Sequence, residues 1–186
     1  IEDPIEMVLE EFNQTAVQAK VGIDFAGALR HILRQDPDVI MAGEIRDGET
    51  AQYAIQAALT GHLVFSTLHT NDASTSISRL IDLGVERFLI SSTLIGAMAQ
   101  RLVRKICTKC ITERMLSTEE AFSLRLTVPP GKKIKVKEGQ GCHDCRGTGY
   151  LGRCGIFEIL PIDESIKHLI VEGKDAPEIK REAVKN

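Results

Sequence analysis

The sequence contains no tryptophan, and aromatics make up only 4% of its 186 residues. That shortage argues against sugar binding and against stacking on single-stranded nucleic acid, both of which use aromatic platforms. The formal net charge is −3, so no global attraction draws the chain toward nucleic acid or an anionic membrane. No nucleic-acid partner is therefore expected. No apolar run approaches the roughly 18 residues that a membrane span needs. No signal peptide opens the chain, and its first residue is Ile1 rather than Met, so the start reads as a boundary inside a longer sequence. A phosphate-cradling loop of the form Gly-x-x-x-x-Gly-Lys-Ser/Thr occurs nowhere, and no internal repeat is visible.

What is present is ordinary in amount and uneven in placement. Hydrophobic residues make up 43% and charged residues 26%, enough for one well-buried domain or a core with a small appendage. Residues 1–50 hold eleven acids and four bases, whereas residues 101–137 hold ten bases and three acids. Two differently solvated surfaces would explain this, and so would an acidic catalytic pole beside a basic docking module.

Apolar spacing predicts alternating helices and buried strands over the first half. Asp24 precedes Phe25, Ala28, Leu29, Ile32 and Leu33 at helical spacing, and Asp36-Pro37 ends that run. Residues 39–42 read as a buried parallel strand. Residues 49–60 read as an Ala-rich helix closed by Gly61, and residues 63–68 as the next buried strand. Asp72 caps a helix through Ile77, Leu80 and Ile81 that stops at Gly84. Residues 88–104 carry apolar side chains at helical spacing and are expected to form one long helix. Helices alternating with buried strands indicate an α/β domain with a parallel sheet. Residues 105–155 change character, with Cys pairs, Pro129-Pro130-Gly131, alternating Lys133, Lys135 and Lys137, and many glycines. A strand from Ile156 and two short helices, 163–172 and 175–184, finish the chain.

Four of the five cysteines form two pairs, Cys107/Cys110 and Cys142/Cys145. Two Cys-x-x-Cys knuckles supply the four thiolates of a closed structural Zn²⁺ site, with no open position for catalysis. Such a site carries a charge of about −2, and Arg104, Lys105, Lys109 and Arg146 lie beside it in sequence. Gly147 and Gly149 permit tight turns near sulfur. His143 reads as a bystander, and the leftover Cys154 as a small buried residue.

In open α/β sheets, ligands sit at the carboxyl ends of strands. Three such ends carry polar groups: Glu2 and Asp3, Glu44 after residues 39–43, and His69 after residues 63–68. An apolar strand ending in an acid suits a Mg²⁺-nucleotide site, though acids also cap buried strands without function. His62 and His69 stand about 23 Å apart along an extended strand, so they cannot both meet one phosphate. His62 is then structural or faces a neighbouring subunit. Arg30 and Arg34, four apart on one expected helix, are either a solvated face or a phosphate contact across a subunit boundary.

These residues carry a resemblance. Residues 1–6 (IEDPIE), 43–47 (GEIRD) and 60–72 (TGHLVFSTLHTND) resemble the Asp box, Walker B motif and His box of the type II secretion and type IV pilus assembly ATPase superfamily. Residues 99–104 (AQRLVR), the Cys pairs, 147–153 (GTGYLGR) and 155–158 (GIFE) extend the match over nearly the whole chain. It is most similar to the type II secretion ATPase (the GspE type), with the pilus extension ATPase next. Retraction ATPases, which typically lack the Cys pairs, resemble it less. The resemblance implies a partial RecA-like parallel-sheet core over residues 1–104, a zinc-binding insertion over 105–155, and a C-terminal strand and helices over 156–186. It implies Mg²⁺-ATP as substrate and a homo-hexamer on the cytoplasmic side of the bacterial inner membrane, docked on its platform proteins. By resemblance Glu2 aligns or deprotonates the attacking water, Asp3 and Glu6 support it, Glu44 lies near Mg²⁺, His69 senses the γ-phosphate and Arg46 lies in the same pocket. The phosphate loop is then expected upstream of Ile1, and residues 1–186 alone are expected to be inactive. A competing reading is a zinc-stabilised adaptor without chemistry, because residues 142–149 also resemble one zinc repeat of DnaJ-type chaperones.

Overall fold

The computed structural model describes residues 1–127 and 132–185. Pro129-Pro130-Gly131 lies outside the described residues. Two compact units form: Ile1–Ala99 together with Glu158–Asn186, and Gln100–Phe157.

The first unit is α/β. Strand β1 (Val39–Ala42) pairs in parallel with β2 (Leu63–Ser66), with Ile40 opposite Val64 and Ala42 opposite Ser66. The parallel pattern continues beyond β1. The Ile1 amine donates to the Met41 carbonyl at 2.7 Å, and Gly43 N–H donates to the Ile1 carbonyl at 2.8 Å. One residue later Glu2 bridges Ala16 in parallel, donating to Thr15 O and accepting from Val17 N–H. Gly43 is required at this approach, because a Cβ there would stand 2.9 Å from the Ile1 carbonyl oxygen.

Helices cover one face of this sheet. Helix α1 (Phe25–Ile32) begins as expected, with the Asp24 carboxylate accepting from Gly27 N–H at 2.7 Å. Helix α2 (Gly48–Leu59) is capped by Asp47, and Thr60 and Gly61 end it. Phe25, Ala28 and Leu29 of α1 meet Ile40 and Ala42 of β1 and Ala57 of α2 in one apolar cluster. The opposite face, with Val39, Met41, Leu63 and Phe65, is exposed. The expectation of strands buried on both faces is therefore corrected. Alternate residues of β1 point to opposite faces, and the described helices cover only the side of Ile40 and Ala42.

A larger cluster joins Ala51 and Ala54 of α2 to α3 (Thr75–Asp82), α4 (Arg87–Thr93), α6 (Glu164–Glu172) and α7 (Ala176–Ala183). Ile77, Ile90, Ile166, Ile170 and Ile179 are its largest members, and fully burying each such side chain contributes about 1.5–3 kcal/mol. Asp72 initiates α3 from two residues upstream of its first turn, accepting from Thr75 N–H at 2.9 Å.

The long helix expected over 88–104 does not form. α4 stops at Thr93, and strand β3 (Gly96–Ile106) follows, paired with β6 (Tyr150–Pro161). Ile95, Met98 and Leu102, whose spacing suggested a buried helical face, are exposed, while Ala97 and Ala99 pack on the larger cluster with the two-residue period of a strand. A backbone ladder to β6 outweighs helix propensity here, which is a weak local preference.

In the second unit β4 (Ile111–Met115) runs antiparallel to β5 (Lys135–Gly139), with Glu113 opposite Lys137. Between them Ser117 and Glu120 form a reciprocal capping box that starts α5 (Thr118–Ser123), a helix the sequence reading missed. Among the described residues of this unit only Cys107, Ala121 and Cys145 have buried side chains. Cys154 is exposed rather than buried, because it lies on β6, which among the described residues pairs with β3 alone.

Candidate functional site

The three strand ends singled out by their polar residues do converge. Beyond β1, Ile45 N–H donates to Thr67 O and the Thr67 hydroxyl to Gly43 O, which holds the segments leaving β1 and β2 side by side. Glu44 and His69 thereby meet, with His69 Nε2 2.9 Å from a Glu44 oxygen. The other Glu44 oxygen takes a hydrogen bond from the Arg46 guanidinium, which also lies 3.7 Å from Asp3. Asp3, Glu44, Arg46 and His69 thus form one chain of polar contacts at the carboxyl ends of parallel segments.

The side chains of this group differ in freedom. Glu44 is 15% exposed, whereas Arg46 is 56% and His69 84% exposed. The acid is held in place while its two partners reach in from solvent. The Arg46 hydrogen bond, helped by His69, holds the Glu44 carboxyl below the usual carboxylate range, and Glu44 in turn raises the Arg46 guanidinium. At neutral pH the group contains an ionised acid closed by two nitrogen donors that can swing away, which suits an arriving cation or polyphosphate.

Glu2, the chain neighbour of Asp3, is half-buried, and one of its oxygens accepts from Gln14 Nε2 at 2.9 Å. Its other oxygen has no hydrogen-bond partner among the described residues. Sequence reasoning missed Gln14, since it lies twelve positions after Glu2 across a loop and no spacing rule links them. Glu6 is exposed and forms no ion pair among the described residues. Arg30 lies on α1, but α1 ends at Ile32, so Arg34 follows in a turn. The expected shared helix face is lost, because the chain tightens after Leu33 with Arg34 N–H bonded to His31 O. Both arginines are exposed. His62 closes the end of α2, its Nδ1 2.9 Å from the Ala57 carbonyl and 3.0 Å from the Thr60 hydroxyl.

The second constellation lies in the other unit. Sγ of Cys107, Cys110, Cys142 and Cys145 all lie within 4.8 Å of one another. Three separations are 3.8 Å (Cys107 to Cys142), 3.9 Å (Cys110 to Cys145) and 3.7 Å (Cys142 to Cys145). A tetrahedron with Zn–S of about 2.3 Å has edges of about 3.8 Å, so the thiols fit a zinc ion and are far too distant for disulfides. Backbone N–H groups of Cys142 and Gly149 point at the Cys145 sulfur at 3.1 and 3.3 Å. Chiefly the Cys142 donor brings that thiol down to about 6, whereas burial pushes the Cys110 thiol up to about 12. Deprotonated together, four sulfurs this close would need a cation among them.

Glycines close the base of the second knuckle. A Cβ on Gly139 would stand 2.0 Å from the Gly149 carbonyl oxygen, so the backbone leading to the second knuckle and the backbone leaving it touch directly. Among the basic neighbours, Arg104 stacks on the Tyr150 ring, 4.0 Å from its centroid. His143 is exposed and outside the sulfur cluster.

Comparison with known proteins places the chain in a family. Residues 1–186 match the family described as type II/IV secretion system protein. The chain is 52% identical over 180 residues to the type IV pilus assembly ATPase PilB of Thermus thermophilus, covering 97% of this chain and 20% of that protein. It is 49% identical over 183 residues to the type II secretion system protein E of Pseudomonas aeruginosa, covering 98% of this chain and 36% of that one. The chain therefore spans between a fifth and about a third of the length of these curated relatives. Among solved structures, the pilus retraction motor PilT with bound ADP superposes with a TM-score of 0.60 at 32% identity, over 97% of this chain and 41% of that one. The ATPase DotB of Legionella pneumophila gives 0.61 at 25% identity, over 99% and 42%.

Proposed function

This chain belongs to the type II/IV secretion system protein family, and from that premise we propose that it is the carboxy-terminal part of a motor ATPase powering type II protein secretion. The observation that carries the reading is the meeting of Asp3, Glu44, Arg46 and His69 at the carboxyl ends of parallel segments, with Glu2 next to Asp3 in the chain. Mg²⁺-ATP is the substrate of this reading, and the core is the RecA-like part of residues 1–104. A structural zinc stabilises residues 105–155, held by Cys107, Cys110, Cys142 and Cys145. The final strand and helices, 156–186, close the core.

The roles follow from chemistry. Phosphoryl transfer needs the γ-phosphate held, its charge neutralised and a water aligned. The oxygen of Glu2 not engaged by Gln14 accepts a proton from that water. Glu44 would hold Mg²⁺ or a water bound to it, and the cation would neutralise charge on the phosphates. Arg46 and His69, released from Glu44, turn to the phosphates. Asp3 keeps Arg46 near the site, and Glu6 adds negative charge to the same loop. Arg30 and Arg34, and by our reading also His62, face the neighbouring subunit of a homo-hexamer. That hexamer docks on inner-membrane platform proteins from the cytoplasm.

The test uses the full-length protein. Glu2→Gln is expected to abolish ATP turnover while nucleotide still binds, and Glu44→Gln to impair the Mg²⁺-dependent step. Arg30→Ala or Arg34→Ala is expected to lower turnover more than nucleotide affinity. Residues 1–186 alone lack a phosphate loop and are expected to show no ATP hydrolysis. Wild-type turnover by Glu2→Gln would sink the reading. A second reading, pilus extension, is favoured by the 52% identity to a pilus assembly ATPase, level with the 49% to a secretion ATPase. Complementation of secretion-deficient and pilus-deficient strains separates the two. The adaptor reading accounts for the thiolates but leaves the strand-end charges without a purpose.

A further inference from the structure

We propose that Gln14 is a positioning residue for the Glu2 carboxylate, holding it in a single orientation through a side-chain amide whose three observed bonds all serve that loop. The inference rests on the role given to Glu2 above. Gln14 Nε2 donates to Glu2 Oε2 at 2.9 Å and to the Met7 carbonyl at 3.0 Å. Its Oε1 accepts from Leu9 N–H at 2.8 Å. Both donor hydrogens are used, and the amide orientation is fixed, because the reversed amide would place N–H against N–H at Leu9.

The backbone explains why Gln14 is in reach. Glu2 N–H donates to Thr15 O at 3.0 Å and Val17 N–H to Glu2 O at 2.9 Å, so the residue before Thr15 is carried alongside Glu2. The loop from Asp3 to Asn13 is exposed over most of its length and contributes little burial of its own. Without the amide, the Glu2 carboxylate would keep its backbone position and lose its side-chain orientation. A carboxylate that aligns water acts through orientation, and misplacement by about 1 Å can cost on the order of a hundredfold in rate. Gln14 does not touch the reacting atoms. It fixes one Glu2 oxygen and leaves the other free.

The experiment compares Gln14→Met and Gln14→Glu with wild type in the full-length protein. Methionine keeps the length and shape of the side chain and removes the hydrogen bonds. Glutamate keeps the acceptor for Leu9 N–H and sets a carboxylate against Glu2. Turnover and KM for Mg²⁺-ATP, the dissociation constant of a fluorescent nucleotide analogue and the melting temperature are measured together. Gln14→Met is expected to lower kcat about tenfold with KM and nucleotide affinity within about twofold, and Gln14→Glu to lower kcat at least as far. A Gln14→Met kcat within twofold of wild type overturns the inference. So does a kcat loss that only follows equal losses in melting temperature and nucleotide affinity. Glu2→Gln is run alongside: if it abolishes turnover while Gln14→Met does not, this inference alone fails, whereas an active Glu2→Gln removes the underlying reading as well.

Discussion

The two units of this chain stabilise themselves by opposite means. In residues 1–99 with 158–186, two apolar clusters bury some twenty side chains, and the polar strand ends rest on that base. In residues 100–157 the only buried side chains described are Cys107, Ala121 and Cys145. Polar and sulfur chemistry substitutes for a core there. The Arg114 guanidinium grips Glu120 with two bonds of 2.8 and 2.7 Å and Glu138 with a third of 2.8 Å, joining α5 to the β4–β5 ribbon. Arg114 holds the Glu120 carboxyl down to about 2. A unit of this size without a core needs a staple such as a metal. The contrast teaches that proximity in sequence and strength of fold are separate properties: the tight Cys spacing belongs to the unit with the weaker apolar base.

The largest expected effect tests that directly. Purified protein is expected to contain about one zinc per chain. Chelation, or Cys107→Ser with Cys142→Ser, is expected to abolish amide-exchange protection across residues 100–157 and to leave residues 39–92 protected. Structural zinc contributes about 10–16 kcal/mol in zinc-finger peptides, far more than the remaining contacts of this unit can supply. Protection in residues 100–157 that survives metal removal would break the comparison.

The reciprocal change comes next in size. Ile77 is 1% exposed at the centre of the larger cluster. Ile77→Ala is expected to destabilise the first unit by about 2–5 kcal/mol through lost transfer energy and a residual cavity. Zinc content and the exchange of residues 100–157 are expected to stay as in wild type. A matching loss of metal would mean that the two units do not hold separate stabilities.

The same contrast governs what the sequence disclosed. The Cys-x-x-Cys spacing was readable because each knuckle is local, and its chemistry admits few alternatives. The cap of α1 was readable for the same reason, since Asp24 acts over three residues, whereas the N-cap of α3 is Ser74 and Asp72 accepts from Thr75 N–H from two residues before it. The strand ends were readable only as a rule about sheets, and the pairing of Ile1 with β1 had to bring Asp3 to Arg46. Residues 96–106 misled because Met98 and Leu102 happen to sit at helical spacing, while the partner that makes them a strand lies some fifty residues later. The exposed sheet face carrying Val39 and Phe65 was unreadable, because an apolar run records suitability for burial and not the presence of a covering element. Gln14 and the Arg114 network escaped because polar contacts across loops leave no periodic signal.

The smallest effect asks whether a polar contact matters in the apolar unit. Asp72 starts α3 three residues after His69. Its Oδ1 accepts from Thr75 N–H at 2.9 Å and from the Ser74 hydroxyl at 3.0 Å, and its Oδ2 lies 3.7 Å from Lys180 of α7, which also reaches Glu158 at 3.4 Å. The Thr75 N–H is the main cause that lowers the Asp72 carboxyl below its ordinary value of 3.8. A carboxyl depressed in the folded state adds stability above its unfolded value and loses it as pH falls through the folded value. Asp72→Ala is expected to cost about 1 kcal/mol at pH 7, read on the amides of α3. Asp72→Asn keeps the acceptor and removes the charge, so it is expected to cost less, and its deficit should shrink as pH falls below about 4. Lys180→Met is expected to cost under about 1 kcal/mol, since Lys180 is 47% exposed and a solvated pair is weak. A Lys180→Met deficit equal to that of Asp72→Ala would mean that the cap works through the ion pair to α7 rather than through Thr75 N–H, and the first unit would then depend on charge much as the second does.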